Sequence, residues 1–270
     1  MSSERSASER WGAARTSVIW DALYPVLAAE TPGTSGDAGQ EGVKDVLDIG
    51  GGTGGFAVRV AELGHRVVVV DPSPDALASL GRRAQERGVS DRVTGHQGDA
   101  SSLSEVVEPG SVDVVLCHGV LEYVGDPASA LASIGEVLRP GGVLSLLVAQ
   151  RHAAVIARAM AGHFQQARAL LDPDSGQSAT SGRRVDQVPT GGSRGPGRRF
   201  TRDELLALLS GAGFEVGTIH GVRVFADLVP GSLLDLEPGA AQALVELEKA
   251  VAERAEYLPL ATQLHIIATR

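Results

Sequence analysis

Apolar and polar positions form two alternating patterns over the first 150 residues. Short apolar runs are separated by stretches in which apolar residues recur at the spacing of a helix. The runs are DVLDIG, RVVVVD, RVTGHQGD, VDVVLCHG and residues 143–148, and the helical stretches are residues 56–63, 74–87, 103–107 and 127–138. This alternation predicts βαβ units and a parallel sheet. Runs such as VVVV, apolar on both faces, are typical of strands that helices cover on both sides.

The remaining segments predict one domain with an appendage. Residues 1–12 are polar and are expected to form a disordered tail, followed by a single domain over residues 13–270. Within it, residues 150–200 combine a helix with a low-complexity stretch, 172–199, which is typical of either a flexible lid or a disordered insert.

Further helices are predicted over residues 15–30, 152–171 and 236–255, and further strands over 215–219, 222–225 and LHIIAT. In FTRDELLALL, Thr201 is a candidate N-cap, with Glu204 as its capping-box partner.

The composition narrows the class of protein. The net charge is −9, so the basic footprint of a nucleic-acid-binding protein is absent at the level of the whole chain. Twenty-two arginines stand against two lysines, which indicates the coding bias of a GC-rich genome. The single cysteine, Cys117, excludes an internal disulfide, and there is no apolar signal region and no apolar stretch long enough for a membrane span. We therefore expect a soluble cytoplasmic protein without a membrane partner.

The stretch DVLDIGGGTGGF (residues 45–56) places a glycine-rich turn between a strand and a helix. Its spacing fits both G-x-G-x-x-G and G-x-G-x-G, because Gly50 and Gly52 belong to either pattern. Glycine is needed where a strand turns sharply into a helix and the backbone approaches a ligand. Asp71, 23 residues after Asp48, follows the second strand, where a carboxylate accepts hydrogen bonds from ribose hydroxyls. The loop therefore predicts a nucleoside-containing cofactor.

Two further acids bear on which nucleoside is bound. Asp48 precedes the glycines, where its charge would repel a pyrophosphate but would help to orient a cationic or amine-bearing cofactor. Asp99 follows the third strand, in a position to accept from an adenine amino group. The glycines alone also allow an NAD-dependent oxidoreductase or a non-catalytic binding protein.

An acid at the end of each of the first three strands, with LRPGG before the fifth, resembles the class I S-adenosylmethionine-dependent methyltransferases. The resemblance implies an α/β fold with a Rossmann-like, seven-stranded sheet. That sheet would be mostly parallel with an antiparallel last strand, and helices would cover both faces. It also implies S-adenosyl-L-methionine as the cofactor and S-adenosyl-L-homocysteine as the product.

Three stretches, CHGVLEYVGDP, LRPGGVLSLLVAQRH and GVRVFADL, resemble the bacterial tRNA 5-carboxymethoxyuridine methyltransferases. ARTSVIWDAL and the C-terminal ALVELEKAVAERAEYLPLATQLHIIA resemble the same family. Its members methylate the carboxylate of the modified uridine at the tRNA wobble position, so the tRNA anticodon loop is the implied partner. A small-molecule carboxylate remains the alternative substrate. By position, the resemblance implies that seven residues contact the cofactor: Arg15, Gly50, Gly51, Asp71, Asp99, Ala100 and His118. Asp48 and Gly52 of the glycine loop are further candidates for cofactor contact.

Methylation of a carboxylate requires few catalytic groups from the protein. A carboxylate, with a pKa near 4, is already ionised at neutral pH and needs no general base. The protein must position the reactants and exclude water, and we predict no certain catalytic residue. His118, at the end of the fourth strand, and Tyr123, which could stack on the substrate base, are the candidate positioning residues. Packing roles are the alternative for both.

Substrate recognition calls for a cation. Arg223, in GVRVF, is the candidate because a guanidinium holds a carboxylate bidentately, and a surface charge is the alternative. His152 is a further candidate for the same cleft. A solvated, disordered loop and phosphate contacts to a tRNA are the alternatives for five arginines in the low-complexity stretch: Arg183, Arg184, Arg194, Arg198 and Arg199. No spacing of histidines and cysteines predicts a metal site.

Overall fold

The chain folds around one seven-stranded sheet. The computed structural model describes residues 7–29, 42–100, 103–171, 197–234 and 239–270. The strands are β1 (Asp45–Ile49), β2 (Arg66–Asp71), β3 (Val93–Gln97), β4 (Val112–His118), β5 (Leu138–Ala149), β6 (Glu215–Val222) and β7 (Gln263–Thr269). Their order is β3-β2-β1-β4-β5-β7-β6, and β7 runs antiparallel to both of its neighbours. The predicted fold class is confirmed.

Helices cover both faces of the sheet. Those described are α1 (Ala7–Ala28), α2 (Ala57–Glu62), α3 (Pro74–Glu86), α4 (Leu103–Val106), α5 (Pro127–Val137), α6 (Arg151–Met160), α7 (Phe164–Ala169), α8 (Arg202–Gly211), α9 (Gly231–Leu234) and α10 (Ala240–Val251). One face buries Leu131 of α5 and Leu205 of α8 in the larger core cluster. The other buries Leu23 of α1 and Val60 of α2. This double cover explains why β1 and β4 are apolar on both sides.

Side-chain caps begin several helices, and the capping box predicted at Thr201 is one of them. The Ser73 side chain accepts from the Ala76 N–H at the start of α3, and Asp126 caps α5 in the same way. The capping box of α8 has both of its hydrogen bonds: Glu204 N–H donates to Thr201 Oγ1, and Thr201 N–H donates to Glu204 Oε2. Such caps satisfy amides that the first helical turn leaves without a partner.

Three segments differ from the expectation. Helix α1 begins at Ala7, so the second half of the stretch expected as a disordered tail is helical, while residues 1–6 lie outside the described residues. The helix expected over residues 152–171 is two helices, separated at Gly162, whose φ is 76°. The core of the expected lid or insert, residues 172–196, also lies outside the described residues.

The strand expected over residues 222–225 is not formed. β6 ends at Val222, and Arg223 adopts a left-handed backbone with φ 62°. The amides of residues 224–226 donate instead to the carboxylate of Glu248, at 2.7–2.9 Å. Because those N–H groups are taken by a side chain, the segment turns away from the sheet.

Within the described ranges, no helix combines the length and the apolar character that a membrane crossing requires. The same ranges contain no group of three or more His, Cys, Asp or Glu side chains placed to hold a metal ion.

Candidate functional site

A cavity of about 570 Å³ opens at the carboxyl ends of β1 to β4. Parallel α/β sheets bind their ligands at this edge, because the loops after successive strands converge there. Five residues proposed from the sequence line the cavity: Gly50, Asp71, Asp99, Ala100 and Tyr123. Much of the remaining wall is apolar, supplied by Ile49, Val70, Val120, Val124 and Ala130. The structure therefore brings the ends of all four strands to one binding cleft.

The glycine loop brings bare backbone to the edge of this cavity. Gly50, Gly52 and Gly54 have positive φ values of 67°, 55° and 78°, a conformation that residues with a side chain rarely adopt. A methyl group added at Gly50 would collide with the Val120 side chain. One added at Gly51 would lie 2.5 Å from Asp48 Oδ2. Larger residues at these two positions would clash with neighbouring side chains, so the packing around the loop requires glycine.

Asp71 connects the loop to the cavity. Its Oδ2 accepts from the Gly52 N–H and its Oδ1 from the Ser73 N–H, each at 2.9 Å. A carboxylate oxygen can accept more than one hydrogen bond, so both oxygens retain the capacity to accept from a ligand. A carboxylate held in this way at the cavity wall fits the two hydroxyls of a ribose.

Asp48 lies beneath the loop and does not line the cavity. It is 3% exposed, and its Oδ2 finds no hydrogen-bond partner among the described residues. Burial, with the nearby Asp71 adding to it, raises the pKa of Asp48 to about 7. A buried carboxylate with one unpaired oxygen favours a nearby positive charge. S-adenosylmethionine carries a sulfonium and an ammonium group, so the acids and the bare loop together fit this cofactor, while direct contact by Asp48 stays a prediction.

His118 lies directly before the cavity, and its ring points into the sheet packing. Its Nε2 is 2.9 Å from Ser145 Oγ, which is 2.8 Å from His265 Nε2. The ring also meets Phe56 edge-on, with centroids 4.8 Å apart. Burial lowers the pKa of His118 to about 4, so the ring is neutral at physiological pH. Its neighbour Gly119 lines the cavity, and a cofactor contact by His118 itself stays a prediction.

Tyr123 stands at the mouth of the cavity. It ends the short 3₁₀ turn Leu121–Tyr123 and is 52% exposed, so it is not the core aromatic that the sequence also allowed. The preceding Glu122 is buried, and its Oε1 accepts from the Ala149 N–H at 2.7 Å, which ties the turn to the end of β5. The exposed ring is accessible from the cavity, and its contact with a substrate stays a prediction.

The other proposed substrate residues lie outside this cavity. Arg223 stands just past the end of β6, and its guanidinium is ion-paired with Asp227 at 2.5 Å. His152 is exposed at the start of α6. Arg15 belongs to α1, and its side chain is outside what the structure describes. The roles of these three residues stay predictions.

A second cavity, of about 370 Å³, lies between α6 and the segment after β6. Arg158, His163 and Arg199 line it together with Asp227, which Arg223 already pairs. Of these residues, sequence reasoning had singled out only Arg199, as one of five arginines without a defined location. The residues that meet here come from positions 153–262 and share no local motif, so no short stretch of sequence signals the cavity.

The comparisons with known proteins agree with this geometry. A family profile described as "Methyltransferase domain" matches residues 47–144, which run from β1 into β5. The chain is 30% identical, over 96% of its own length and 89% of the other, to the tRNA 5-carboxymethoxyuridine methyltransferase of Escherichia coli K12. A ubiquinone biosynthesis O-methyltransferase of Cupriavidus pinatubonensis is 37% identical, over 44% of this chain and 45% of that protein.

Solved structures that share this fold also include S-adenosylmethionine-dependent methyltransferases. The crystal structure of a putative S-adenosylmethionine-dependent methyltransferase from Listeria monocytogenes matches with a TM-score of 0.56 at 19% identity, covering 96% of this chain and 99% of that one. The similarity to the E. coli enzyme extends over nearly the whole length of both chains, including segments outside the profile. The predicted cofactor and enzyme class are thereby confirmed, and the oxidoreductase alternative is set aside. The chain belongs to the S-adenosylmethionine-dependent methyltransferases, in the family of the E. coli tRNA 5-carboxymethoxyuridine methyltransferase.

Proposed function

We propose that this protein methyl-esterifies the carboxylate of 5-carboxymethoxyuridine at the wobble position of tRNA. The observation that carries the proposal is the similarity to the E. coli enzyme along 96% of the chain. That similarity extends past residue 144, where the general methyltransferase profile ends. The segments beyond the profile form the second cavity, so they are the part of the chain suited to selecting a methyl acceptor.

The chemistry of the cleft supports a carboxylate acceptor. S-adenosylmethionine supplies an electrophilic methyl carbon when it is bound. Among the described residues, no histidine or lysine lines the cofactor cavity, and the nearby His118 is neutral and engaged by Ser145. A carboxylate needs no base, because it is already ionised at neutral pH. The protein's contribution is then to hold the two reactants in line and to keep water out.

Each side chain of the cleft has a role within this proposal. Asp71 accepts hydrogen bonds from the ribose hydroxyls, and Asp99 and Ala100 flank the adenine. The loop backbone at Gly50 passes close to the amino-acid part of the cofactor. Tyr123, exposed at the mouth, stacks on the uracil ring of the acceptor.

The test is a transfer assay on tRNA from a strain lacking this protein. Purified protein and S-adenosylmethionine are incubated with that tRNA, which is then digested and its nucleosides are identified by mass spectrometry. We expect 5-carboxymethoxyuridine to be converted to its methyl ester. The conversion should weaken as salt is raised, because tRNA binding releases counterions from the phosphates.

Two controls define the acceptor. tRNA from a strain that cannot form 5-carboxymethoxyuridine should receive no methyl group. If the modified tRNA also remained unmethylated while small carboxylic acids were esterified, the acceptor would be a small molecule and the tRNA assignment would be wrong.

A further inference from the structure

The second cavity is connected to the cofactor cleft through Arg199. Arg199 lies on the wall of the second cavity. It interacts electrostatically with Glu122 and with Tyr123, which stands at the mouth of the cofactor cleft. A group held by Arg199 would therefore lie close to Tyr123, at the boundary between the two cavities.

The backbone around Arg199 is anchored on both sides. Arg198 N–H donates to the Glu122 carbonyl at 2.8 Å, and Phe200 N–H donates to the Ala149 carbonyl at 3.0 Å. The Phe200 carbonyl accepts from the Arg151 N–H at 2.9 Å, and the Phe200 side chain is buried in the main core. Arg199 is therefore held between the turn after β4 and the end of β5 rather than carried on a loose loop.

Arg199 and Arg158 form a pair of like charges. Both line the cavity, and neither makes an ion pair with a carboxylate within the described ranges. Burial, and next the positive charge of Arg158, lower the pKa of Arg199, and the opposing effects of Glu122 and Tyr123 are smaller. Asp227, the one acid among the described residues of the cavity wall, is ion-paired with Arg223. A half-buried cation beside a second cation is costly, and a bound anion offsets that cost.

We propose that Arg158 and Arg199 bind the carboxylate that receives the methyl group. This inference rests on the proposed function, whose substrate it places in the second cavity. Two guanidinium groups match the planar, two-oxygen geometry of a carboxylate. The rest of the lining includes Ile156, Ala157, Phe225 and Leu260, an apolar surface that suits the methylene group beside the carboxylate.

Two arginines can bind any oxyanion, and a tRNA carries two kinds: the carboxylate of the modified base and the backbone phosphate. We assign the carboxylate, because Arg199 is half-buried and adjoins the cofactor cleft. Phenoxyacetate carries the same carboxymethoxy group as the modified base, and phenyl phosphate carries the competing anion, so the two compounds separate the sources.

The experiment uses the full chain saturated with S-adenosylhomocysteine and measures binding of each compound by ligand-observed NMR. We expect phenoxyacetate to bind the wild type, and Arg158→Gln and Arg199→Gln each to weaken it roughly ten- to hundredfold, as loss of a charge-assisted hydrogen bond does. Arg199→Lys keeps the charge and should lose less. Affinity for S-adenosylhomocysteine, unchanged in every variant, reports that the fold is intact.

Arg168→Gln is the matched control, since it removes the same charge from an exposed site on α7 that does not line the cavity. Equal weakening by Arg168→Gln, undiminished binding in Arg158→Gln and Arg199→Gln, or preference for phenyl phosphate would each overturn the assignment. These outcomes do not depend on the tRNA assay. A wild type that binds phenoxyacetate through the two arginines but leaves tRNA unmethylated would contradict the proposed function alone.

Discussion

The cofactor cleft and the second cavity differ in how the chain builds them. The cleft draws its lining from residues 49–133, each part following a strand of the sheet. The second cavity draws on residues 153–262, from helix α6, from the turn after β6 and from the segment that precedes α8. The first is an arrangement that the strand order itself imposes, whereas the second depends on contacts between segments far apart in sequence. We therefore expect changes in the cleft to act on cofactor binding, and changes around the second cavity to leave it intact.

The largest effect is expected from Asp71→Ala. In the proposed binding mode the change removes the acceptor for two ribose hydroxyls, and it leaves the N–H groups of Gly52 and Ser73 without their partner. Hydrogen bonds to a charged group contribute about 1.5–3 kcal/mol each, so we expect affinity for S-adenosylmethionine to fall roughly a thousandfold. Isothermal titration calorimetry measures the loss.

Asp75→Ala is the control, because Asp75 is an exposed carboxylate on the next helix, α3. It should leave the affinity within about twofold of the wild type. Wild-type affinity in Asp71→Ala would mean that the cleft binds its ligand in another way, and the comparison between the two cavities would fail.

The cleft was predictable because its signals are local. The apolar runs, the glycines and the acids that follow the strands are all legible in windows of about ten residues, and the strand order then brings them together. The capping box at Thr201 was predictable for the same reason. The direction of the His118 ring was not, because it is set by Ser145, 27 residues away, and by Phe56.

The second cavity was not predictable because its signals are non-local. The position of Arg199 is set by hydrogen bonds to residues about 50 and 76 places earlier in the chain. The turn at Arg223 is set by Glu248, which lies 25 residues later on helix α10. The apolar run GVRVF predicts a strand by propensity, and the buried carboxylate overrides it.

The next effect concerns pH and the buried Asp48. Its folded pKa, about 7, lies above the value of 3.8 expected for an unfolded chain. A group with a raised pKa contributes its full stability below the unfolded pKa and loses it as pH rises through the folded pKa. Wild-type stability should therefore decline between about pH 4 and pH 7 through this group.

Asp48→Asn removes this titration while keeping the shape of the side chain. Its free energy of unfolding should match the wild type near pH 4 and exceed it at pH 8 by up to about 4 kcal/mol, the equivalent of some three pKa units. Urea denaturation of both proteins at the two pH values gives the difference. A constant difference between them at all pH values would show that Asp48 is already ionised in the acidic range, and that its burial beneath the loop has no electrostatic cost.

The smallest effect tests the second region, through Glu248→Ala. Glu248 is fully buried and accepts from the N–H groups of Val224, Phe225 and Ala226, the first two of which line the second cavity. Without the carboxylate those amides lose their partner, so we expect the free energy of unfolding to fall by about 3 kcal/mol. The turn would loosen, and the KM for the acceptor should rise while affinity for S-adenosylmethionine stays unchanged.

Two variants sharpen this result. Glu248→Gln keeps one carbonyl oxygen as an acceptor, so it should lose less stability than Glu248→Ala, whereas Glu246→Ala, on the exposed side of α10, should change stability by less than about 0.5 kcal/mol. Urea denaturation and cofactor titration on the same samples separate the two regions. If cofactor affinity fell in step with the KM for the acceptor, the turn after β6 would support the cleft as well. The two cavities would then be one cooperative unit, because the contacts that hold the acceptor side would also hold the cofactor side.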